Sequence, residues 1–350
     1  MIQLEQEPRK ILLIKPSAIG DVVQTLPILN LLRRRFTEAK ISWLLTPLCA
    51  GLLEGHPQLD DIILFERHRY ASGWRDPGAL ADLYQLTREL RRREFDLVID
   101  LQGLFRSGWL TMMTRAPLRV GFANAREFAW LAYTHRVPVP DSQVHALQRY
   151  LSVTDLLGCG REPVEFYFAT DANDREFAAS LVNGIDRFAL LFPGTNWPTK
   201  RWPVENFASI VQPLEEQLGL KCLVAGGSNE MELARKIPGA INVAGQTTLR
   251  QLTALIERAS LVISNDSGPM HLAAALNRPL VALFGPTNPI RTGPYNREDS
   301  VLRLDIPCSP CYSRTCSHQS CLRWMTVDAV MRAAERECAL LPSPSGRASG

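Results

Sequence analysis

Apolar residues in this chain come in short runs separated by amphipathic stretches. Ile11–Ile14 is a β-branched and leucine run bounded by charge, as expected of a parallel strand buried on both faces. A tight Pro-Ser-Ala-Ile-Gly-Asp turn follows, and then VVQTLPILNLLRRRF, whose apolar residues recur at helical spacing. ISWLL (Ile41–Leu45), IILF (Ile62–Phe65) and DLVIDL (Asp96–Leu101) predict further strands, and Leu80–Arg93 an amphipathic helix. The pattern then restarts. Phe188–Phe192, Leu220–Ala225, Leu261–Ser264 and Leu280–Phe284 read as strands, with helices over Val204–Gln217, from about Asn229, and over Met270–Leu276.

Strand and helix alternating in this way predict an α/β protein with two doubly wound parallel sheets, each Rossmann-like. The junction is expected within Thr154–Asp174, where Gly158, Gly160 and Pro163 break the pattern. The expected domains are 1–165 and 170–322. A closing helix over 323–340 follows, with packing back on the first domain as one option. The tail 341–350, rich in Pro, Ser and Gly, has nothing to bury and is expected to be disordered. In such folds ligands bind at the carboxyl ends of the strands, so a cleft between the two halves is the expected site.

Composition narrows the classes. Hydrophobic residues at 46% and charged residues at 21% suffice for two buried cores. A net charge of +3, from 39 basic and 36 acidic residues, argues against nucleic acid as a global partner. No run approaches the roughly 18–20 apolar residues of a membrane-spanning helix, and the N-terminus lacks the pattern of a signal peptide. The expected location is therefore the cytoplasm, where the eight cysteines would be thiols or metal ligands rather than disulfides.

Three loops carry candidate chemistry. Asp21 closes Ser17-Ala18-Ile19-Gly20-Asp21 at the head of a helix, a place that suits either a helix cap or a general base. Pro193-Gly194-Thr195-Asn196-Trp197-Pro198-Thr199-Lys200 joins hydroxyl and amide groups to a lysine, a set suited to phosphate oxygens. Asn265-Asp266-Ser267-Gly268-Pro269-Met270-His271 offers Ser267 and the amides of a helix start to a diphosphate. His271, about a turn into that helix, is either packed or turned to the ligand. The sequence contains no P-loop, GxGxxG, HExxH or Asp-x-Asp signature, so charge on a leaving diphosphate would fall to Lys200 and the helix start.

Taken in order, KPSAIGDVVQTLP, DLVIDLQGLFRSG, FPGTNWPTKRWP, VAGGSNE and SNDSGPMHLAAAL followed by LFGPTNP resemble the ADP-heptose:lipopolysaccharide heptosyltransferases. These are inverting glycosyltransferases of family 9 with the GT-B fold, two Rossmann-like domains facing across a cleft. The resemblance implies that Asp21 is the base that deprotonates the acceptor hydroxyl. It implies donor binding by Thr195, Asn196 and Lys200 at the phosphates, Glu230 and Thr247 at the nucleoside, and Asp266, Ser267, Gly268 and His271 at the sugar and diphosphate. The donor would be an ADP-sugar, the acceptor an anionic glycolipid at the inner membrane surface, and catalysis would need no cofactor. A phosphorylated acceptor suits Arg67, Arg69 and Arg75 after the third strand, Arg106 after DLQG, and Arg126 after GFANA, because arginine binds phosphate bidentately. Arg33–Arg35 and Arg91–Arg93 read instead as solvated helix faces.

Cys308, Cys311, Cys316 and Cys321 form C-x2-C-x4-C-x4-C around His318. Structural zinc, an iron–sulfur cluster, reduced thiols and a regulatory disulfide are all compatible with that spacing. Two alternatives to transfer keep the same fold, a nucleotide-sugar epimerase and a non-catalytic nucleotide-sugar-binding protein. The arginines argue against the first, and the full set of Asp21, Lys200, Asp266 and His271 against the second.

Overall fold

Each apolar run becomes a parallel strand in a computed structural model of the protein, which describes residues 2, 4, 6–71, 76–139 and 143–339. The tail 341–350 and Arg75 lie outside the described residues. The chain divides into two units, Met1–Ala169 and Thr170–Gly350.

The first unit holds strands β1 (Lys10–Ile14), β2 (Lys40–Leu45), β3 (Asp61–Leu64), β4 (Leu97–Asp100), β5 (Leu118–Phe122) and β6 (His135–Val137) in the order β3-β2-β1-β4-β5-β6. The second holds β7 (Phe188–Phe192), β8 (Lys221–Val224), β9 (Ile241–Asn242), β10 (Leu261–Asn265), β11 (Leu280–Phe284) and β12 (Val301–Arg303) in the order β12-β11-β10-β7-β8-β9. Counted from its own first strand, each sheet has the order 3-2-1-4-5-6, and every pair is parallel. Strand order reverses between β1 and β4 and again between β7 and β10. Loops leaving those four strands diverge there and open a crevice at the carboxyl edge of each sheet.

Register aligns Leu13 with Trp43 and Ile99, and Leu190 with Val262. All of these side chains are fully buried, so each central strand is clad on both faces. Strands β5, β6, β9 and β12 lack an apolar signature because they lie in the outer parts of the sheets, where arginine, histidine or asparagine interrupts the run. The single helix expected after the first turn is two, Ile19–Val23 and Leu26–Arg35. Pro27 causes the break: lacking an N–H, it fits the first turn of a new helix but not the interior of a continuing one.

The last helix, Val327–Ala339, packs on helix Val204–Leu218 and on β10 and β11 within its own unit. Its buried Glu337 accepts from the Leu280 amide at 3.1 Å, Ser300 Oγ at 3.0 Å and Arg297 Nη2 at 2.6 Å. One carboxylate thus fastens the helix to the sheet and satisfies a guanidinium that is itself largely buried. Among the described residues no helix is long and apolar enough to cross a membrane. Glu337→Ala leaves the Arg297 charge and a strand N–H without their partner. We expect it to cost roughly 3–5 kcal/mol of stability, read from the urea midpoint.

Candidate functional site

In the second unit the loops after β7, β10 and β11 are welded together by two buried side chains. Asn265 is fully buried; its Nδ2 donates to the Pro193 carbonyl at 2.8 Å and its Oδ1 accepts from the Trp202 amide at 3.0 Å. Asp266, next in the chain and 5% exposed, pairs with Lys200 Nζ at 2.7 Å and accepts from Thr287 Oγ1 at 2.6 Å. Two adjacent residues therefore fix three loops. Lys200 is held over the Trp197 ring, 4.7 Å from its centre, and Arg314 approaches the same ring at 4.6 Å. Trp197 is thus a shelf for two cations.

Thr195 is buried and its carbonyl accepts twice from Arg201, at 3.0 and 2.7 Å, whereas Asn196 is exposed. Ser267 is the N-cap of helix Gly268–Ala275, and its hydroxyl lies 3.2 Å from that of Ser264. Gly268 begins the helix and His271 lies in its first turns; both are half-buried. Glu230 ends the turn Ser228–Glu230 and accepts from the Gly227 amide at 2.9 Å. Its carboxylate lies so near Gly194 and Gly226 that a Cβ at either would overlap it, which explains glycine in both PGT and AGG. Thr247 is half-buried and directly precedes Thr248, the N-cap of helix Leu249–Arg258. These residues surround the crevice between β7 and β10, with Thr247 beyond its β8 side.

The base candidate belongs wholly to the first unit. Ala18 is the N-cap of Ile19–Val23, and Asp21 is the third residue of that helix rather than its cap. Its Oδ2 accepts from the Ala18 amide at 3.2 Å and pairs with Lys15 Nζ at 3.3 Å, and its Oδ1 accepts from Tyr150 Oη at 3.1 Å. Burial would raise the Asp21 carboxyl, but Lys15, the Ala18 amide and Tyr150 together hold it below the usual carboxylate range. Burial also pushes the Tyr150 hydroxyl up to about 12, with Asp21 adding to the effect. Asp21 is therefore an ionised carboxylate at any physiological pH. Lys15 heads the KPSAIGD motif without a role being read from it, and Tyr150, 129 positions away from Asp21, joins the group only in the fold.

The arginines expected to meet an acceptor fall into two sets. Arg106 begins helix Phe105–Met113 and the Arg126 amide donates to the Gly103 carbonyl at 2.9 Å, so the loops after β4 and β5 bring these two exposed side chains to one region. Arg149 is close by, bonded to Asn124 at 2.9 Å and stacked on Phe122. Arg67 and Arg69 begin beyond β3, four strand spacings from β5, or roughly 19 Å across the sheet. Arg69 is ion-paired with Asp82 in a hollow of about 750 Å³ that Glu66 and Glu89 also line. Three carboxylates surround the one guanidinium, so this hollow does not present a simple anion site.

Comparison with known proteins identifies the family. Residues 83–322 match glycosyltransferase family 9 (heptosyltransferase). Lipopolysaccharide heptosyltransferase 1 of Pseudomonas aeruginosa is 30% identical over 320 residues, covering 89% of this chain and 88% of that one. The chain belongs to glycosyltransferase family 9. Lipopolysaccharide core heptosyltransferase OpsX of Haemophilus influenzae is 28% identical, with 85% of each chain covered. The solved E. coli heptosyltransferase WaaC with ADP-2-deoxy-2-fluoro heptose superposes with a TM-score of 0.76 at 25% identity, over 93% of this chain and 99% of that chain. This family 9 protein is a glycosyltransferase with two doubly wound α/β units, and the epimerase and non-catalytic alternatives fall away.

The four-cysteine expectation needs correction. Among the described residues no three His, Cys, Asp or Glu side chains are grouped as a metal requires, so a structural zinc or iron–sulfur site at Cys308, Cys311, Cys316 and Cys321 is not supported. The thiols are free and differ in setting: Cys308 and Cys311 are exposed on a loop, Cys316 is half-buried, and Cys321 is buried beside Leu322 in a short helix. The loop instead buttresses the loops after β7 and β11. Ser309 Oγ donates to the Gly285 carbonyl at 2.7 Å, the Tyr312 amide to Pro286 at 2.8 Å, and Thr199 Oγ1 to the Ser313 carbonyl at 2.8 Å.

Thr287 is the neutral member of the buried Lys200–Asp266 group. Thr287→Val is expected to cost about 1.5–3 kcal/mol in chemical denaturation, the range for a hydrogen bond to a charged group, and Thr287→Ser to recover most of it.

Proposed function

We propose that this family 9 enzyme transfers heptose from ADP-heptose to the phosphorylated core of a lipopolysaccharide precursor, acting at the cytoplasmic face of the inner membrane. The observation that carries the reading is the buried Lys200–Asp266–Thr287 group beside the start of helix Gly268–Ala275. It sets a fixed cation and the N-terminus of a helix at the carboxyl edge of the sheet, where a nucleoside diphosphate is held in doubly wound folds. Support for the sugar and acceptor comes from relatives named for lipopolysaccharide heptosyl transfer and from a related enzyme solved with an ADP-heptose analogue.

In this reading Lys200, Thr195, Asn196, Ser267 and Gly268 bind the diphosphate, and Asp266 and His271 bind the sugar edge. Glu230 and Thr247 take the nucleoside. Asp21 accepts the proton of the acceptor hydroxyl as its oxygen attacks the anomeric carbon from the face opposite the departing ADP, which inverts that centre. Charge growing on the leaving phosphate is met by Lys200 and the helix amides, donors already in place before reaction. Arg106 and Arg126 are the better placed acceptor ligands. For Arg67 and Arg69 an acceptor phosphate has to compete with nearby carboxylates.

Asp21→Asn keeps the shape of the base and removes its function. Turnover is expected to fall about 10²–10⁴-fold, with donor affinity measured by calorimetry within about twofold of the parent. Near-normal turnover would leave Asp21 a purely structural residue. A thermal-shift screen of ADP-, UDP-, GDP- and TDP-sugars is expected to show selective stabilisation by the ADP-sugar, lost in Lys200→Ala. Selective stabilisation by a uridine or thymidine sugar would overturn the donor assignment.

A further inference from the structure

Asp21 is held from three directions by groups belonging to two different parts of the first unit. Lys15 follows β1 directly and is 4% exposed, an unusual setting for a lysine. Tyr150 comes from helix Ala146–Leu156 and is 4% exposed. The lysine also lies 5.4 Å from the centre of the tyrosine ring, so the three side chains form one closed group. Cys49, from helix Pro47–Leu53, also faces it, and its thiol is pushed up by burial and further by Asp21. The Asp21 side chain itself is 39% exposed, so one side of the carboxylate stays open.

A carboxylate offers about four acceptor sites, two on each oxygen. On Oδ2 both are taken, by Lys15 Nζ and the Ala18 amide. On Oδ1 the Tyr150 hydroxyl takes one, and the other is unfilled among the described residues. We propose that Lys15 and Tyr150 are positioning residues that hold the Asp21 carboxylate in one orientation and leave Oδ1 as the oxygen that takes the acceptor's proton. This rests on the reading of Asp21 as base. In the step, the acceptor oxygen forms a bond to the anomeric carbon while the bond from that carbon to the diphosphate oxygen breaks. The leaving ADP keeps the electron pair, and the hydroxyl proton passes to Oδ1.

A base held below the normal carboxylate range suits this chemistry. Glycosyl transfer passes through an oxocarbenium-like state, and the attacking hydroxyl becomes strongly acidic only as its bond forms. Ground-state strength is then of little use, whereas a base that is never lost to protonation and already aimed is always ready. Lys15 supplies the charge and Tyr150 the aim.

The sign follows. Both partners favour the ionised form of Asp21, so removing either moves the acid limb of the kcat profile to higher pH. The test measures kcat from about pH 4 to about pH 8, with ADP-heptose and core acceptor both saturating, for the parent, Tyr150→Phe, Lys15→Met and Asp21→Asn. The ratio of kcat at the acid end to that at the alkaline end is expected to drop at least about threefold in Tyr150→Phe and more in Lys15→Met. Donor KM should change little in either. If Lys15→Met does not fold, Tyr150→Phe, which keeps the ring, decides alone. A flat, parent-like profile in Tyr150→Phe overturns the inference, even where kcat falls at every pH, because that is what a merely structural role would give. In that case an inactive Asp21→Asn leaves the base reading standing, and an active one removes both.

Discussion

Both halves of this glycosyltransferase depend on a lysine–aspartate pair completed by a hydroxyl, buried in the second unit and open on one side of the carboxylate in the first. In the first unit Lys15 and Asp21 are 3.3 Å apart and Tyr150 donates to the same carboxylate; in the second Lys200 and Asp266 are 2.7 Å apart and Thr287 does so. Taking such charges out of water is costly, and they are tolerated only where the partner and the remaining bonds are all in place. Each pair therefore obliges the loops around it to keep one shape. In the second unit this obligation falls on three loops at once, because Lys200, Asp266 and Thr287 follow β7, β10 and β11.

The parallel sheet decides where those pairs sit. All carboxyl strand ends lie along one edge, and the reversal of strand order beside the first strand of each unit opens that edge. Asp21 follows β1 and Lys200 follows β7, the equivalent first strands. Family members with the same topology therefore inherit the same two places for chemistry, and the loops set what is done there. Here one place carries the Asp21 carboxylate and the other the Lys200 ammonium beside a helix start.

The remaining polar architecture serves to hold these loops. Asn265 ties the loop after β7 to the end of β10, and the cysteine-rich loop supports Gly285, Pro286 and Thr199 from outside. Its thiols are free, and its support of these loops is made by backbone and hydroxyl groups and by Arg314 over Trp197. Glu230 fills the space two glycines leave open, so PGT and AGG are two walls of one small recess.

The chain's own pattern was enough to determine two doubly wound parallel sheets. Runs such as Ile11–Ile14 and Leu280–Phe284 are apolar throughout because a strand covered on both faces can be nothing else. It also marked Asp21, Lys200 and Asp266, since these lie in loops directly after such strands. Strands β5, β6, β9 and β12 escaped because outer strands need no apolar run, and the break before Leu26 because a proline near a helix start looks the same as one inside a helix. Only the tertiary structure decided what surrounds each charge. Tyr150 reaches Asp21 and Thr287 reaches Asp266 across long stretches of chain, and Arg69 is met by Asp82 from another helix. Local sequence shows which residues can carry a charge, but the strength and direction of that charge depend on neighbours a few ångströms away, and folding alone selects those.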